Sequence, residues 1–366
     1  MKVLYITRKY PPSIGGMQTQ SYFFHEALSR KSSVLLISWG YSQLFMPFFL
    51  VYASMKSILQ LISGKIDIIQ LGDIVLSPLG VLLKLLFNKP VLAVSHGRDS
   101  AYQGVFYNYF ILGSANRLNK VICVSNYLKQ RLHLRGLCNK RLEVIPNGIS
   151  VSESDELGID REHAISEIEA TYGIILKEKK IVLSVLRLVA KKGIKEFIEG
   201  IFLKISNDIE DVTFLIVGDG PEKKAIEQVI CKHGLEDKVH LIGPVRHKSR
   251  IYEELFSVAD VFVMPNVRVE GDAEGFGVVV LESSIRRLPV VAYDVDGIGE
   301  AVHNNENGML IDEGNEALFI EKLLYFLKNN DTKQGFGEKA REYVLNHFSW
   351  DKICDRYIDQ YREILA

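Results

Sequence analysis

The sequence predicts an α/β protein made of two doubly wound domains, each built on a parallel sheet. Its length of 366 residues suits two domains of ordinary size. Short runs rich in β-branched residues alternate with helical stretches. These runs are apolar throughout, which is typical of strands buried on both faces of a parallel sheet. A polar, acidic segment from Ser150 to about Lys180 separates six such runs from six more, which indicates two sheets.

The twelve predicted strands divide equally between the halves of the chain. Those of the first half are Val3–Thr7, Val34–Ser38, Ile68–Leu71, Val91–Ser95, Val121–Ser125 and Leu142–Ile145. Those of the second half are Ile181–Leu186, Thr213–Gly218, Val239–Gly243, Val261–Pro265, Pro289–Asp294 and Gly308–Ile311. Between the halves, a helix is predicted near Arg161–Tyr172, after the acidic residues SESDE. Because ligands bind beyond the carboxyl ends of parallel strands, we expect the site in a cleft between the domains.

Three further patterns concern the compartment and the membrane. The apolar run at the N-terminus is too short for a signal peptide and is expected to be the first strand. Four widely spaced cysteines without a C-x-x-C pair argue against a disulfide framework or a zinc site and favour a reducing compartment. The stretch Leu44–Ile62 has the length of a membrane span, but Pro47 and Lys56 interrupt it. We expect a pair of buried or interfacial helices there instead.

The formal net charge of −1 conceals a strong asymmetry. Residues 1–150 contain 17 Lys and Arg against 5 Asp and Glu, a net charge of +12, whereas residues 151–366 carry −13. Cations are dense between Lys120 and Arg141, and apolar stretches lie at Phe45–Ile62 and in the run ending at Phe87. This combination predicts docking on an anionic membrane; the alternative is a basic face whose apolar stretches pack against the sheet. No nucleic-acid-binding module is recognisable, so nucleic acid is not an expected partner.

Several strand ends carry candidate site residues, each with an ordinary structural alternative. Gly15 and Gly16 follow the first strand and would let the backbone approach a ligand, or they form a simple βα turn. His96 ends the fourth strand, where a histidine is more often a hydrogen-bonded structural group. Arg187 and Lys192 follow the first strand of the second half and could hold a pair of phosphates, although surface cations are common.

The segment EGFGVVVLE, from Glu274 to Glu282, is the most specific pattern. Gly275 and Gly277 suit a tight loop, and the apolar run from Val278 suits a buried helix whose free N–H groups could bind an anion. From residue 276 to residue 282 a helix advances about 9 Å, which is too far for the two carboxylates to share a proton or a small metal ion. They could instead hold hydroxyls at opposite ends of an elongated ligand. A sugar joined to a nucleoside through a diphosphate has this shape.

Four motifs in this order resemble family 4 of the retaining glycosyltransferases: IPNGIS, SVLRLVAKKG, IVGDGPE and EGFGVVVLE. The resemblance extends from IGG near the N-terminus to FSWDKI near the C-terminus. It implies a GT-B architecture of two Rossmann-like domains facing a deep cleft. The acceptor would bind to residues 1–149 and the nucleotide sugar to residues 150–349, with a final helix of about 350–366 crossing back to the first domain.

The resemblance also implies the roles of particular residues. Arg187 and Lys192 would neutralise the donor diphosphate, Glu274 would hold the donor sugar, and Glu282 would bind ribose. Gly16 would close on the donor, and His96 would lie near the sugar. The implied catalytic residues are Glu274, His96, Arg187 and Lys192. The implied donor-binding residues are Gly15, Gly16, Arg187, Lys192, Val245, Arg246, Glu274, Gly275, Phe276, Gly277, Val278 and Glu282.

The chain departs from the family pattern at four positions: Leu186 and Arg287 stand where glycine is usual, Ser150 replaces an aspartate, and Asp296 occupies the first glycine position of a paired-glycine sequence. Asp294-Val295-Asp296 spells D-x-D, which holds a metal in another transferase architecture. Here we interpret it as a turn. Since Arg187, Lys192 and a helix N-terminus can neutralise the diphosphate, we expect neither a metal nor another cofactor.

The resemblance implies transfer of a hexose-type sugar from a nucleoside-diphosphate sugar with retention of configuration. We expect a saccharide or lipid-linked acceptor used in assembling a cell-surface polysaccharide, a lipopolysaccharide or a glycolipid. The protein would be cytoplasmic and peripheral on the inner face of the membrane. Two alternatives are a soluble glycosyltransferase acting on a small metabolite and a catalytically inert partner with the same fold.

Overall fold

The computed structural model describes residues 1–13, 15–41, 43–97, 104–151 and 158–366. Ile14 of the IGG motif, Arg98 and Asp99 after His96, and the acidic residues 152–156 therefore lie outside the described residues. The chain forms two compact units. The first comprises Met1–Ser150 and His347–Ala366, and the second comprises Val151–Asn346.

The first unit is built on a parallel sheet of six described strands with the order β2-β1-β3-β4-β5-β6. The buried apolar residues of this unit lie both in the sheet and in the helices that flank it, and β4 is buried along its whole length. The strands are β1 (Lys2–Thr7), β2 (Ser33–Ser38), β3 (Ile68–Leu71), β4 (Val91–Ser95), β5 (Lys120–Cys123) and β6 (Leu142–Val144). The predicted runs and the observed strands agree to within one or two residues.

Helices flank this sheet. Their bounds are Gly16–Lys31, Met46–Ile62, Ser77–Phe87, Gly113–Ala115, Asn126–Leu134 and Trp350–Leu365. A π-helix at Tyr107–Leu112 precedes Gly113–Ala115.

The last of these helices, Trp350–Leu365, packs on Gly16–Lys31, and its Tyr361 hydroxyl donates a 2.8 Å hydrogen bond to buried Gln70 Oε1. The ring of Trp350 lies against Gly148, where a Cβ atom would come within 2.5 Å of it. Glycine at 148 is therefore required for this contact.

The apolar stretch at 44–62 forms one helix, Met46–Ile62, after a short 3₁₀ turn at Gln43–Phe45. The expected pair of helices is wrong because Pro47 lies in the first turn, where its missing N–H would have no intrahelical partner in any case. Across the described residues, no helix combines the length and the apolarity that crossing a membrane requires.

The second unit is built on another parallel sheet, whose described strands have the order β12-β11-β10-β7-β8-β9. The strands are β7 (Lys180–Val185), β8 (Val212–Val217), β9 (Val239–Gly243), β10 (Val261–Met264), β11 (Val290–Asp294) and β12 (Met309–Asp312). The helices are Arg161–Tyr172, Ile194–Phe197, Leu203–Asp208, Lys223–Lys232, Arg250–Val258, Val278–Ile285, Glu316–Lys328 and Asn330–Phe348, and a π-helix at Ile198–Phe202 joins the second to the third. The predicted fold class, two doubly wound α/β domains, is confirmed.

The strand order fixes where a ligand site can form in the second unit. Strand β7 lies between β8 and β10, so the chain leaves β7 toward one side of the sheet and later returns on the other side. The order therefore reverses between β7 and β10, and such a switch point opens a crevice at the carboxyl ends of the two strands. The segments that follow β7 and β10 carry Arg187, Lys192 and Glu274.

Candidate active site

The centre of the candidate site is an ion pair between Lys192 and Glu274. Lys192 ends a 3₁₀ turn, Ala190–Lys192, that follows β7, and Glu274 lies in the loop between β10 and the helix Val278–Ile285. Lys192 Nζ donates to Glu274 Oε2 at 2.5 Å, and the two side chains are only 11% and 17% exposed. Two groups that were predicted to bind different parts of a ligand thus contact each other.

The 3₁₀ turn packs directly on the segment after β10. Gly193 has φ +61°, and a Cβ atom on it would lie 2.0 Å from the carbonyl oxygen of Pro265. The Val267 N–H donates to the Lys191 carbonyl at 3.0 Å. Only glycine fits this approach, and it holds the lysine turn in place.

Lys191, the neighbouring lysine, fixes the loop that carries Glu274. Its Nζ donates to Asp272 Oδ1 and to the Ala273 carbonyl, both at 2.9 Å, and lies 3.9 Å from Glu274 Oε2. Burial disfavours the charged form of Glu274, but Lys192, Lys191 and a hydrogen bond from Asn266 outweigh it. The pKa of this carboxyl is therefore below its usual value, and Glu274 is an anion at neutral pH.

The backbone of Glu274 is held from the loop after β11. Its N–H donates to Asp296 Oδ2 at 2.8 Å, and its carbonyl accepts from the Gly297 N–H at 3.1 Å. Asp296 has φ +56°, in the left-handed region that favours glycine. The second aspartate of the D-x-D sequence therefore forms a turn and anchors the glutamate loop.

Glu282 lies within the helix Val278–Ile285, and two side chains hold its carboxylate. His247 Nε2 bonds to Oε1 at 2.9 Å, and the Tyr252 hydroxyl donates to Oε2 at 2.5 Å. Burial raises the pKa of Glu282, but the bonds from His247 and Tyr252 and the charge of Arg286 lower it further, so its net pKa falls below the usual value. For Tyr252, burial and the Glu282 charge raise the pKa well above 10.

The loop after β9 joins this second cluster. Val245 and Arg246, which were predicted to be near the base of a nucleotide, lie in the loop before the helix Arg250–Val258. His247 follows them directly and bonds to Glu282. The predicted base-reading and ribose-binding residues are therefore brought together on one side of the sheet.

Arg187 and the start of the helix Val278–Ile285 complete the site. Arg187 follows β7 and is exposed. The chain enters the helix through Gly275, through Phe276, which is buried, and through Gly277, whose φ is +85°; Val278 is the first helical residue. No acidic residue occupies the first turn, so its N–H groups present a positive end. An anionic, phosphate-like group fits this combination of a cation and backbone donors.

Two family models account for most of the chain. The one described as Glycosyltransferase Family 4 matches residues 5–153, and the one described as Glycosyl transferases group 1 matches residues 171–343. The chain belongs to the family 4 glycosyltransferases. The resemblance drawn from the motifs is thereby confirmed, as is the GT-B architecture.

Curated relatives and solved structures agree with this assignment. The glycosyltransferase is 26% identical over 280 residues to an N-acetyl-alpha-D-glucosaminyl L-malate synthase of Bacillus anthracis, covering 75% of this chain and 68% of the relative. It is 27% identical over 273 residues to a GDP-mannose-dependent phosphatidylinositol monomannoside mannosyltransferase of Mycobacterium tuberculosis, covering 74% and 68%. The Anabaena protein HepE, solved in complex with UDP, has the same fold, with a TM-score of 0.75, 18% identity, and coverage of 99% and 100%.

Three predicted residues of the glycosyltransferase lie in its first unit. His96 follows β4, and its Nε2 donates to the Gly72 carbonyl at 3.1 Å; burial lowers the pKa of its imidazole, so the ring is neutral at neutral pH. Gly15 and Gly16 begin the helix Gly16–Lys31, and the Gly15 carbonyl accepts from the Thr19 N–H at 3.1 Å. Among the described residues, a Cβ atom on Gly16 would meet no atom within 4 Å, so these residues leave the backbone there open to approach. Their roles toward a donor remain predictions.

Four residues of the glycosyltransferase site were missed by sequence reasoning: Lys191, His247, Tyr252 and Asn266. A second lysine directly before Lys192 was a visible signal for the first of them. His247 follows the predicted base-reading residues by one position and could have been found in the same way. Tyr252 and Asn266 gave no local signal because only the folded chain brings them to the glutamates.

The described residues contain no group of three or more His, Cys, Asp or Glu side chains that could hold a metal ion. This observation does not test metal independence, which stays a prediction.

Proposed function

We propose that this glycosyltransferase transfers a hexose-type sugar from a nucleoside-diphosphate sugar, with retention of configuration and without a metal ion. The observation that carries the proposal is the buried pair of Lys192 and Glu274 beside a helix N-terminus that has no acidic residue in its first turn. A carboxylate that accepts sugar hydroxyls and a cation that faces phosphate are both needed where a glycosyl phosphate bond breaks.

The proposed chemistry assigns a separate task to each group. Negative charge develops on the departing diphosphate, and Arg187, Lys192 and the amides near Gly277 stabilise it. Glu274 orients the sugar and favours positive charge at its reacting carbon, and it forms no covalent bond. The acceptor attacks from the face that the leaving group vacates, and a phosphate oxygen takes the acceptor proton. Accumulation of a glycosyl adduct on Glu274 would contradict this scheme.

At the other end of the donor, we propose that Glu282 accepts hydroxyls of the ribose. His247 and Tyr252 already bond to one oxygen each, which fixes the carboxylate plane and leaves further lone pairs for a ligand. Val245 and Arg246 lie in the same loop as His247, so the base would lie close to them. HepE was solved with UDP and the mycobacterial relative is named as GDP-mannose-dependent, so both nucleotides are candidates.

For the acceptor, we propose a lipid-linked saccharide in the assembly of a polysaccharide, a lipopolysaccharide or a glycolipid, with the enzyme peripheral on the inner face of the membrane. The basic charge of residues 1–150 supports this, as does the phosphatidylinositol-linked acceptor in the name of the mycobacterial relative. The second candidate is transfer to a small metabolite, which the name of the malate synthase favours. An inert partner is less consistent with the complete set of Arg187, Lys192, Glu274 and Glu282.

Thermal stabilisation by a panel of UDP-, GDP- and ADP-sugars tests the donor. A true donor at about 100 times its dissociation constant should stabilise the fold by about 2.7 kcal/mol. With that donor, Lys192→Met and Glu274→Ala should lower turnover by about 10²–10³-fold, because each removes a group that stabilises developing charge. Lys204→Met is the matched control, since it breaks an exposed ion pair with Glu316 in the same unit. Loss of turnover in the control, or full turnover in both site variants, would refute the assignment.

Metal independence has its own test. Turnover with the identified donor should be unchanged by excess EDTA, because Arg187, Lys192 and the backbone amides supply the positive charge. Loss of turnover in EDTA that magnesium or manganese restores would show that a metal ion is required.

A further inference from the structure

The helix Met46–Ile62 of the first unit has two opposite apolar faces. Every fourth residue faces the protein and is buried: Phe49, Ala53, Ser57 and Leu61. A second stripe consists of Phe48, Val51, Met55, Leu59 and Ile62, and these side chains are 61–70% exposed. At 3.6 residues per turn, the two stripes point about 180° apart. A helix that is apolar all round is normally covered on every side, and this one is covered on one side only.

Two neighbouring elements extend this exposed surface. The helix Ser77–Phe87 packs against Met46–Ile62 and against the π-helix Tyr107–Leu112. It exposes Leu82, Leu85 and Leu86. Beside it, Val105 is 88% exposed and Tyr109 80%, and the exposed rings of Phe106 and Phe110 stack at 4.9 Å. We call the combined surface the apolar face, consisting of Phe48, Val51, Met55, Leu59, Ile62, Leu82, Leu85, Leu86, Val105, Phe106, Tyr109 and Phe110.

The segments that form the apolar face carry charges of one sign. Residues 43–62, 74–97 and 104–142 contain ten lysines and arginines, seven of them in the last segment, and no Asp or Glu. Lys56 Nζ lies 5.1 Å above the Tyr52 ring, and the guanidinium of Arg135 lies 5.6 Å from the Tyr107 ring. Long cationic side chains that lie along aromatic rings can keep their charge in the headgroup layer while their neighbours enter the acyl layer.

This charge pattern distinguishes between the partners that could cover the apolar face. A second copy of the chain, placed on the face by a two-fold axis, would oppose two sets of cations, and the segments that form the face contain no carboxylate to pair them. An anionic lipid surface supplies the missing negative charge and an apolar layer together. The helix Met46–Ile62 is about 25 Å long and is buried along one face from Phe49 to Leu61, which suits an interfacial helix.

We propose that the apolar face enters the interfacial layer of an anionic bilayer, with the helix Met46–Ile62 and the segment 105–110 as its two inserted elements. This inference deepens the proposed function by assigning the membrane contact to particular residues. It rests on the proposed function only in one respect, the nature of the acceptor that the enzyme would meet at the membrane. The lipid surface itself is the partner, whether or not the acceptor is lipid-linked.

Co-sedimentation of the 366-residue protein with vesicles tests the proposal. Vesicles of phosphatidylcholine with 30% phosphatidylglycerol should bind the protein at low salt, and pure phosphatidylcholine should bind it at least tenfold more weakly. The variant Phe48→Gln/Met55→Gln/Leu59→Gln should bind anionic vesicles at least tenfold more weakly, because three apolar side chains no longer leave water. Its fold should persist, since all three side chains are exposed. Ile175→Gln removes an equally exposed apolar residue from the second unit and should bind as the wild type does.

A second measurement locates the insertion. The tryptophan of a Phe48→Trp or Phe106→Trp variant should be quenched by lipids brominated on their acyl chains, and that of Ile175→Trp should not. Wild-type protein that ignores anionic vesicles, or a triple variant that binds them normally, would overturn the proposal. A dimer in solution that the triple variant abolishes would overturn it in favour of a second copy. Nucleotide-sugar binding, measured without vesicles on the same variants, should be unchanged, so failure of the donor assignment and failure of docking can be told apart.

Discussion

At the scale of single residues, two departures from the family pattern occupy positions that need a glycine-like backbone. Arg287 has φ +59° and Asp296 has φ +56°. Arg287 follows the end of the helix Val278–Ile285, where the Leu288 N–H bonds back to the Ser283 carbonyl at 3.0 Å in the usual helix-ending motif. The left-handed conformation is thus kept although the glycine is absent. At 296 the side chain gains a task, because it accepts the N–H of Glu274.

This task makes Asp296 a testable positioning residue. Asp296→Asn keeps an acceptor and tolerates the left-handed backbone, so activity should stay within a few-fold of the wild type. Asp296→Gly relaxes the backbone but releases the Glu274 N–H, and turnover should fall by about 10–10²-fold through misplacement of the carboxylate. Steady-state kinetics with the identified donor measures both.

Asn305→Gly is the control for Asp296→Gly. Asn305 also has a positive φ, of +62°, and both of its hydrogen bonds to neighbouring segments use backbone atoms. The Asn305→Gly variant should keep full turnover. If Asp296→Gly is as active as Asn305→Gly, the side chain of Asp296 does not position Glu274.

At the scale of elements, the strands and the helix Val278–Ile285 could be predicted because they are encoded locally. A run of β-branched residues buried on both faces is visible in the sequence. Contacts between distant segments could not be predicted. The Lys192–Glu274 pair joins residues 82 positions apart, and the residues that hold Glu282 come from 30 and 35 positions away. The resemblance to a family supplied Lys192, Glu274 and Glu282, but neither the residues that hold Glu282 nor the fact that lysine and glutamate pair with each other.

Pro47 shows how position decides the meaning of a residue. As an interruption it predicted two helices, whereas in the first turn it begins one. The exposed stripe of that helix could not be predicted either. Its apolar residues alone did not indicate which of its two faces the sheet would cover.

The turn before the helix Ile194–Phe197 of the second unit offers a prediction at this scale. Gly193→Ala should lower the free energy of unfolding by about 2–4 kcal/mol, because it combines a left-handed alanine with a Cβ atom 2.0 Å from the Pro265 carbonyl. It should also abolish transfer, since relief of the clash moves the turn that carries Lys192.

Gly234→Ala separates the two contributions. Gly234 has φ +63°, nearly that of Gly193, but no atom of the part of the chain that the structure describes lies within 4 Å of its hypothetical Cβ. It should lose only about 1–2 kcal/mol and keep its activity. Chemical denaturation of the two variants, followed by circular dichroism, measures the difference. Equal stability losses would mean that the packing of the turn on the 265–267 segment contributes nothing.

At the scale of the whole molecule, the near-zero net charge is a sum over two dissimilar units. The second unit is acidic overall, yet its site is lined by Arg187, Lys191 and Lys192, so the net charge of the unit is a poor guide to its ligand. The segments of the first unit that form its exposed apolar face contain lysines and arginines but no Asp or Glu. The net charge of the first unit is therefore a guide to the kind of surface that it binds. In the second unit, by contrast, local ion pairs determine the charge of the site.

The last helix of the chain belongs to the first unit, although the second unit lies between them in the sequence. This arrangement yields a prediction for the molecule as a whole. Tyr361 donates to Gln70 Oε1 where both side chains are fully buried. Tyr361→Phe leaves that oxygen buried without its donor, which should lower the stability of the first unit by about 1–3 kcal/mol. Both tryptophans of the chain, Trp39 and Trp350, belong to this unit, so tryptophan fluorescence during urea unfolding follows it selectively.

The design of the remaining variants makes the test specific to the buried bond. Adding Gln70→Met to Tyr361→Phe removes both polar partners and should recover part of the lost stability, because an unpaired polar group costs more than an apolar pair of similar shape. Tyr22→Phe, at an exposed tyrosine of the same unit, should leave the fluorescence transition unchanged. Donor binding under native conditions should be the same in every variant, since the site residues of the second unit are untouched. If Tyr361→Phe unfolds at the same urea concentration as the wild type, the helix that carries Tyr361 is held by its apolar contacts within the first unit, and this hydrogen bond contributes little.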